Sequence, residues 1–257
     1  MFLIVGGDST IGVALSNYWT DNHIPFHAST RNLDFVSDRK PFIDLSDPHT
    51  FRQITGYESA VLCASVTDMA TCENTPKETR AVNVSGTIKL IKKLNDNNTH
   101  ILFLSTNQVF DGKKPHQKPD SPQKPINEYG RQKAEVEVFI KKILGVCILR
   151  LTKVVHPSLT LLREWEFSLS QGESIFAFNN MTLSPINIDD VVNKIDILVN
   201  QKATGIFQLS GNRDISFFEF ARRFARDNGY SSNLIKKSTW HGKLAFVPPK
   251  YTSMVNV

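Results

Sequence analysis

The amino-acid sequence predicts an α/β protein: a doubly wound parallel sheet with a small C-terminal lobe. Three observations lead there. Over the first two-thirds of the chain, short apolar runs alternate with stretches of helical spacing, the pattern of βαβ units. The runs are apolar at successive positions, as strands covered by helices on both faces are. The first run enters a helix through a glycine-bearing turn, Gly6-Gly7-Asp8-Ser9-Thr10-Ile11-Gly12. The 257 residues are 40% hydrophobic and 21% charged, enough to bury a core, which excludes disorder as the main state. No apolar run approaches the ~18 residues of a membrane span, and the first residues lack the pattern of a signal peptide. Three cysteines, Cys63, Cys72 and Cys147, exclude a disulfide scaffold and favour a reducing, cytoplasmic setting.

Phe2–Val5 reads as the first strand and residues 11–19 as the helix after it. Residues 24–29 are a second strand, 41–43 a short third, and 60–64 a fourth. Val82, Ile88, Leu90, Ile91 and Leu94 recur at helical spacing, so 76–94 form one long helix. A strand at 101–104, a helix at 128–143 and a strand at Val146–Leu151 follow. Residues 111–125, rich in Pro, Lys, Asp and Gln, form a loop longer than most connections, and such loops often border sites. Beyond residue 154 the pattern loosens. Residues 186–199 are helical, and Gly205–Leu209 is one more strand. Over 216–228, Ser216 caps a helix, Glu219 completes a capping box and Gly229 ends it. Residues 246–251 read as an extended tail packed on the body.

A glycine turn between a strand and a helix start is where a dinucleotide pyrophosphate sits. Glycine lets the backbone come close, and the helix offers free N–H groups. Gly6 and Gly12 hold the outer positions, Ser9 replaces the middle glycine, and Thr10 and Ile11 open the helix. A tight turn with no ligand has the same look. At the end of the second strand, residues 29–32 carry no acid for a ribose 2′-hydroxyl. Arg31 instead offers a fork of donors for a 2′-phosphate, so NADP(H) is expected over NAD(H). Tyr129 and Lys133, in Tyr129-Gly130-Arg131-Gln132-Lys133, share a helix face at i and i+4. The lysine is expected to lower the phenol pKa toward neutrality, making Tyr129 a proton donor to a carbonyl under reduction. Thr106 follows a strand's carboxyl end, where open α/β sheets bind ligands, and its hydroxyl can bind the same oxygen.

Together these segments resemble the short-chain dehydrogenase/reductase superfamily in its extended, sugar-nucleotide branch, and within it the dTDP-4-dehydrorhamnose reductase family. The resemblance runs in order along nearly the whole chain. Residues 6–12 are similar to Gly-x-x-Gly-x-x-Gly, 104–112 to Ser-Thr-Asp-Tyr-Val-Phe-x-Gly, and 129–133 to Tyr-Gly-x-x-Lys. Residues 184–190 and 205–211 are similar to two further segments of the branch. The resemblance implies a Rossmann-type NAD(P)-binding domain at 1–153, to which 186–209 return. It also implies a small substrate-binding lobe made of 154–185 and 210–257. Thr106, Tyr129 and Lys133 are the implied catalytic set. Implied cofactor contacts, besides the turn and Arg31, come from Asp44 and Leu45 at the adenine and from Cys63, Ala64 and Ser65 beside the nicotinamide. Asn83, Tyr129 and Lys133 complete them. Thr67, Met69, Thr106, Asn107 and Lys153 are the implied substrate contacts. The implied substrate is a nucleotide-linked 4-keto-6-deoxy sugar. Asn107-Gln108 stands where related dehydratases carry Asp-Glu, so a reductase is implied over a dehydratase. Lys153 stands where the reductases carry an aromatic residue.

Two other functions remain open: a catalytically silent NADP(H)-binding regulatory subunit, as in methionine adenosyltransferase, and an epimerase of the same branch. The net charge of +5 comes from scattered basic residues rather than a nucleic-acid footprint. No nucleic acid or membrane partner is expected, and a homodimer is the protein partner considered. The seven histidines (His23, His27, His49, His100, His116, His156, His241) lack metal-ligand spacing and read as surface or loop residues, so no metal is expected. Phe217, Phe218, Phe220 and Phe224 read as core or interface, and Cys63 as a small core residue.

Overall fold

The computed structural model describes residues 1–51, 54–242 and 247–257. β1 (Phe2–Val5), α1 (Thr10–Asp21) and β2 (Phe26–Ala28) form the first unit. β3 (Ser59–Leu62), α2 (Met69–Asn74), α3 (Pro76–Arg80) and α4 (Thr87–Asp96) follow, then β4 (His100–Thr106), α5 (Glu128–Ile140) and β5 (Val146–Leu151). β6 (Lys153–Val155), α6 (Thr160–Ser170), β7 (Ile175–Phe178), β8 (Thr182–Leu183) and β9 (Pro185–Asn187) come next. α7 (Ile188–Asn200), β10 (Gly205–Leu209), β11 (Ile215–Ser216), α8 (Phe217–Asp227) and β12 (Ile235–Ser238) complete the described elements.

The main sheet has six strands in the order β10-β5-β4-β3-β1-β2, every pairing parallel. Side-chain alternation builds a core on each face. Leu3, Val5, Ala60, Leu62, Ile101 and Phe103 pack beneath Leu90, Ile91 and Leu94 of α4 and Val136 and Ile140 of α5. Ile4, Val61, Leu102 and Leu104 face Leu15 and Trp19 of α1 and Val191, Ile195 and Leu198 of α7. A third cluster joins Trp165 and Leu169 of α6, Ile175 of β7, Ala221 and Ala225 of α8, and Ile235 of β12. The chain runs from β1 to β2 on one side and returns to β3 on the other. That reversal opens a crevice at the carboxyl ends of β1 and β3.

Four expectations change in detail. Residues 41–43 make a single parallel bridge, Thr30 to Phe42, rather than a strand. Pro41 accepts from the Thr30 N–H at 3.1 Å but has no N–H to extend the ladder. The 76–94 helix is interrupted at 81–86 by a π-helical segment that carries Asn83. Ser216 caps α8 by accepting from the Glu219 N–H at 3.0 Å, but the Glu219 carboxylate is drawn to Arg213 and Arg223 instead of returning to the cap. His100 is buried on β4, its Nε2 2.8 Å from the Ala203 carbonyl, so it is not a surface histidine. Of the predicted tail, Phe246 lies outside the described residues. Tyr251 donates its N–H to Gly112 at 2.9 Å.

Candidate active site

The glycine turn is held by close backbone approach. Gly6 has φ +86°, and a Cβ there would stand 2.6 Å from the Ala64 backbone nitrogen. A Cβ on Gly12 would stand 2.2 Å from the Gly6 carbonyl. Ser9 is the N-cap of α1: its Oγ donates to the Gly6 carbonyl at 2.7 Å and accepts from the Gly12 N–H at 3.1 Å. The serine therefore turns its hydroxyl onto the turn's own backbone. The first N–H groups of a helix have no intrahelical partner, and here they begin at Thr10 and Ile11, both lining a cleft. The turn fits a dinucleotide phosphate by this measure.

Beside the turn lies a recess of about 210 Å³ lined by Gly6, Ser9, Arg31, Leu45, Ala64 and Ser65, among others. Asp44 does not line it. The Asp44 carboxylate accepts from the Ser46 N–H and hydroxyl, both at 2.8 Å. Asn83 stands behind the wall, buried. Its Oδ1 accepts from Ser65 Oγ at 2.9 Å and the Val66 N–H at 2.8 Å, and its Nδ2 donates to Gln132 Oε1 at 2.7 Å. In this structure it shapes the loop after β3 and ties it to α5 rather than facing the recess.

The recess adjoins a cleft of about 680 Å³. Its lining brings together Ser9, Thr10, Ile11, Cys63, Ser65, Thr67, Met69, Thr106, Asn107, Tyr129, Lys133 and Lys153. Thr106 ends β4 in register with Leu151 of β5, and its Oγ1 caps the next turn by accepting from the Gln108 N–H at 3.2 Å. Asn127 caps α5, accepting from the Gly130 N–H at 2.8 Å, while its Nδ2 donates to Gln108 Oε1 at 2.8 Å. A Cβ on Gly130 would meet the Gln108 carbonyl at 2.1 Å, so glycine lets α5 sit against the turn that carries Thr106. These contacts set Tyr129 and Lys133 over the strand end.

The Tyr129–Lys133 pair differs electrostatically from the expectation. Lys133 is buried and donates through Nζ to the Leu104 carbonyl at 3.0 Å. Its ammonium lies 4.6 Å from the Phe103 ring centroid and 5.9 Å from that of Tyr129. Burial lowers Lys133 to about 8. Burial, and then Cys72, push the Tyr129 phenol above its ordinary value rather than toward neutrality. The lysine's proton is aimed at the Leu104 carbonyl, and loss of water around the phenol sets the direction of its shift. Burial also pushes the Cys63 thiol up to about 12, so it is not a thiolate nucleophile.

Sequence reasoning missed the buried support of this face. Glu137, one turn beyond Lys133, is fully buried and paired with the equally buried Arg150 of β5 at 2.6 Å. Its Oε1 also accepts from Ser105, beside Thr106, at 2.5 Å. Arg150 further donates to the Pro119 carbonyl at 3.0 Å and Gln208 Oε1 at 3.2 Å. The i+8 spacing from Tyr129 to Glu137 was a readable signal, since it continues the same helix face. The C-terminal segment was missed too. Thr252 lines the cleft, its carbonyl accepting from Asn107 Nδ2 at 3.1 Å. Asp214 holds that segment through the N–H and hydroxyl groups of both Thr252 and Ser253.

Among the described residues no group of His, Cys, Asp and Glu is placed to hold a metal ion. No described helix is long and apolar enough to cross a membrane.

Comparisons with known proteins place the chain among relatives of the same fold. The chain is 25% identical over 212 residues to a probable low-salt glycan biosynthesis reductase of Haloferax volcanii, covering 79% of this chain and 68% of that protein. It is 23% identical over 234 residues to methionine adenosyltransferase 2 subunit beta of Bos taurus, covering 85% and 69%. Its fold matches the crystal structure of dTDP-4-dehydrorhamnose reductase from Bacillus anthracis in complex with NADP, with a TM-score of 0.89. That match has 19% identity and covers 100% of this chain and 90% of that one. The family described as RmlD substrate binding domain matches residues 1–251, and the chain belongs to it.

Proposed function

We propose that the protein is an NADP(H)-dependent reductase of a nucleotide-linked 4-keto-6-deoxy sugar. One observation carries this reading: a single cleft joins the open start of α1 to Thr106, Tyr129 and Lys133. The NADP-bound reductase of the same fold and the glycan biosynthesis reductase support it. NADPH, when bound, supplies hydride to the carbonyl carbon. Tyr129 gives its hydroxyl proton to the carbonyl oxygen as the hydride arrives. Thr106 donates a hydrogen bond to that oxygen and stabilises its developing charge. Lys133, anchored on the Leu104 carbonyl, keeps a positive charge beside the phenol and binds the nicotinamide ribose. Arg31, exposed at the rim of the recess, takes the 2′-phosphate. In this reading residues 1–153 with 186–209 serve the cofactor, and 154–185 with 210–257 serve the sugar. The cysteines are free, in keeping with a reducing cytoplasm.

The test is NADPH oxidation with a panel of 4-keto-6-deoxy sugar nucleotides. Turnover that falls about 10²–10⁴-fold in Tyr129→Phe is the expected result. Turnover unaltered by that change would remove Tyr129 from its role. The likeness to methionine adenosyltransferase 2 subunit beta favours a second reading, a silent NADP(H)-binding subunit. That reading expects NADPH binding without turnover and a partner enzyme co-purifying in fixed ratio.

A further inference from the structure

Residues 248–257 run from the cleft to β10, the edge strand of the main sheet. Pro248, Pro249 and Thr252 line the cleft, and Thr252 and Ser253 are buried. Gly112 makes room for this passage: its φ is +62°, and a Cβ there would stand 2.2 Å from the Pro249 Cβ. Further along, Ser210 Oγ accepts from the Met254 N–H at 2.9 Å, and Gln208 Nε2 donates to the Val255 carbonyl at 2.9 Å. The Val257 N–H donates to the Gln208 carbonyl at 3.1 Å. These contacts dock the segment independently of what holds Thr252.

Thr252 itself is held by Asp214, in the turn from β10 to β11. Asp214 Oδ1 accepts from the Thr252 N–H at 2.5 Å, the Thr252 hydroxyl at 2.9 Å and the Ser253 N–H at 3.0 Å. Its Oδ2 accepts from the Ser253 hydroxyl at 2.6 Å. Four donors from two successive residues, gathered on one carboxylate, fix where that stretch of backbone lies. The Thr252 carbonyl in turn accepts from Asn107 Nδ2 at 3.1 Å. With Nδ2 committed there, the Asn107 amide turns its oxygen to Thr106, whose hydroxyl donates to Oδ1 at 3.4 Å. That bond is long and weak, so a substrate carbonyl displaces it readily. Until then it keeps the Thr106 hydroxyl turned toward a residue of the cleft lining. A chain of contacts thus runs from Asp214 through Thr252 and Asn107 to the hydroxyl at the end of β4.

We propose that Asp214 is a positioning residue of the reductase site: it fixes Thr252 so that Asn107 orients the Thr106 hydroxyl for the reacting oxygen. The role rests on the reductase reading and extends it to a residue outside the described cleft lining.

The experiment is steady-state NADPH oxidation with dTDP-4-keto-6-deoxyglucose and UDP-4-keto-6-deoxyglucose, alongside NADPH fluorescence titration and thermal melting. It compares the native protein with Asp214→Ala, Asp214→Asn, Asn107→Ala and the double variant Asp214→Ala/Asn107→Ala. Asp214→Ala is expected to lower kcat about 10- to 100-fold, the loss that a small misplacement of a catalytic group brings. NADPH affinity is expected to stay within about twofold, because the glycine turn shares no contact with this chain of residues. Asp214→Asn keeps an oxygen for three of the four donors and retains most of kcat. Asn107→Ala lowers kcat by itself, and in that background Asp214→Ala costs nothing more, because its path to Thr106 is already cut. A role in folding alone would lower the melting temperature and leave the kcat of the folded protein native. Native kcat in Asp214→Ala, or losses that multiply in the double variant, overturn the positioning role. If Asp214→Ala does not fold, Asp214→Glu, which keeps the charge and shifts the carboxylate by one methylene, replaces it in the same cycle with the same expectations. A native protein that oxidises NADPH with neither substrate instead overturns the reductase reading, and this role with it.

Discussion

Burial pulls Tyr129 and Lys133 toward their neutral forms from opposite directions, and neutral pH lies where both keep a proton. Tyr129 is held above its ordinary range and Lys133 at about 8. A phenol that must donate a proton is thus loaded, and the lysine carries its charge until mild alkali. Activity should therefore fall on the alkaline side with an apparent pKa near 8, read from the pH profile of kcat/KM. The same shift bears on stability. Between about 8 and the usual 10.5, the unfolded chain holds the Lys133 proton more tightly than the folded one does. Its contribution to stability therefore rises with pH across that window. Below it, the buried charge costs on the order of 3 kcal/mol. Lys133→Met should gain its largest denaturation-midpoint advantage near pH 7 and lose it by pH 10; an advantage that does not change with pH would contradict the burial argument. Thr106, Tyr129, Lys133 and Arg31 were legible as candidates because residue type and spacing suffice to nominate them, and the fold brings them to the recess and cleft. The raised phenol pKa was not, because it depends on burial of the phenol in the folded protein and then on Cys72, which spacing cannot report.

At the scale of elements, α5 is fixed by two devices. Gly130 lets its first turn approach the Gln108 carbonyl, and Glu137 locks its third turn to Arg150 and Ser105. Gly130→Ala should cost about 1–3 kcal/mol by overpacking and lower kcat by displacing Tyr129. Glu137→Ala leaves the guanidinium of Arg150 buried without its anion and should cost about 3–5 kcal/mol in chemical denaturation. The strands and main helices were readable because their apolar periods match the sheet and helix periods. The π-helical segment at 81–86 was not, since one extra residue in a turn leaves the flanking helical pattern intact. Asn83 illustrates the difference between a motif and its use: its place on the helix was legible, while its bonds to Ser65, Val66 and Gln132 required the fold. The bridge at Phe42 fell short of a strand because a proline interrupts its donors.

For the whole molecule, parallel order around β1 opens the crevice, the glycine turn supplies one end, and β6 with the C-terminal segment supplies the other. Order along the chain revealed the first end, since the turn and its helix are contiguous. The second end joins residues more than a hundred positions apart, such as Asn107 and Thr252, and no local pattern announces that contact. The central claim is that the first end holds NADP(H). Its most direct test is fluorescence titration of the native protein and of Arg31→Ala with NADPH and NADH. The account predicts that the native protein prefers NADPH by about tenfold or more and that Arg31→Ala removes most of that preference. Binding of neither nucleotide by the native protein would contradict it.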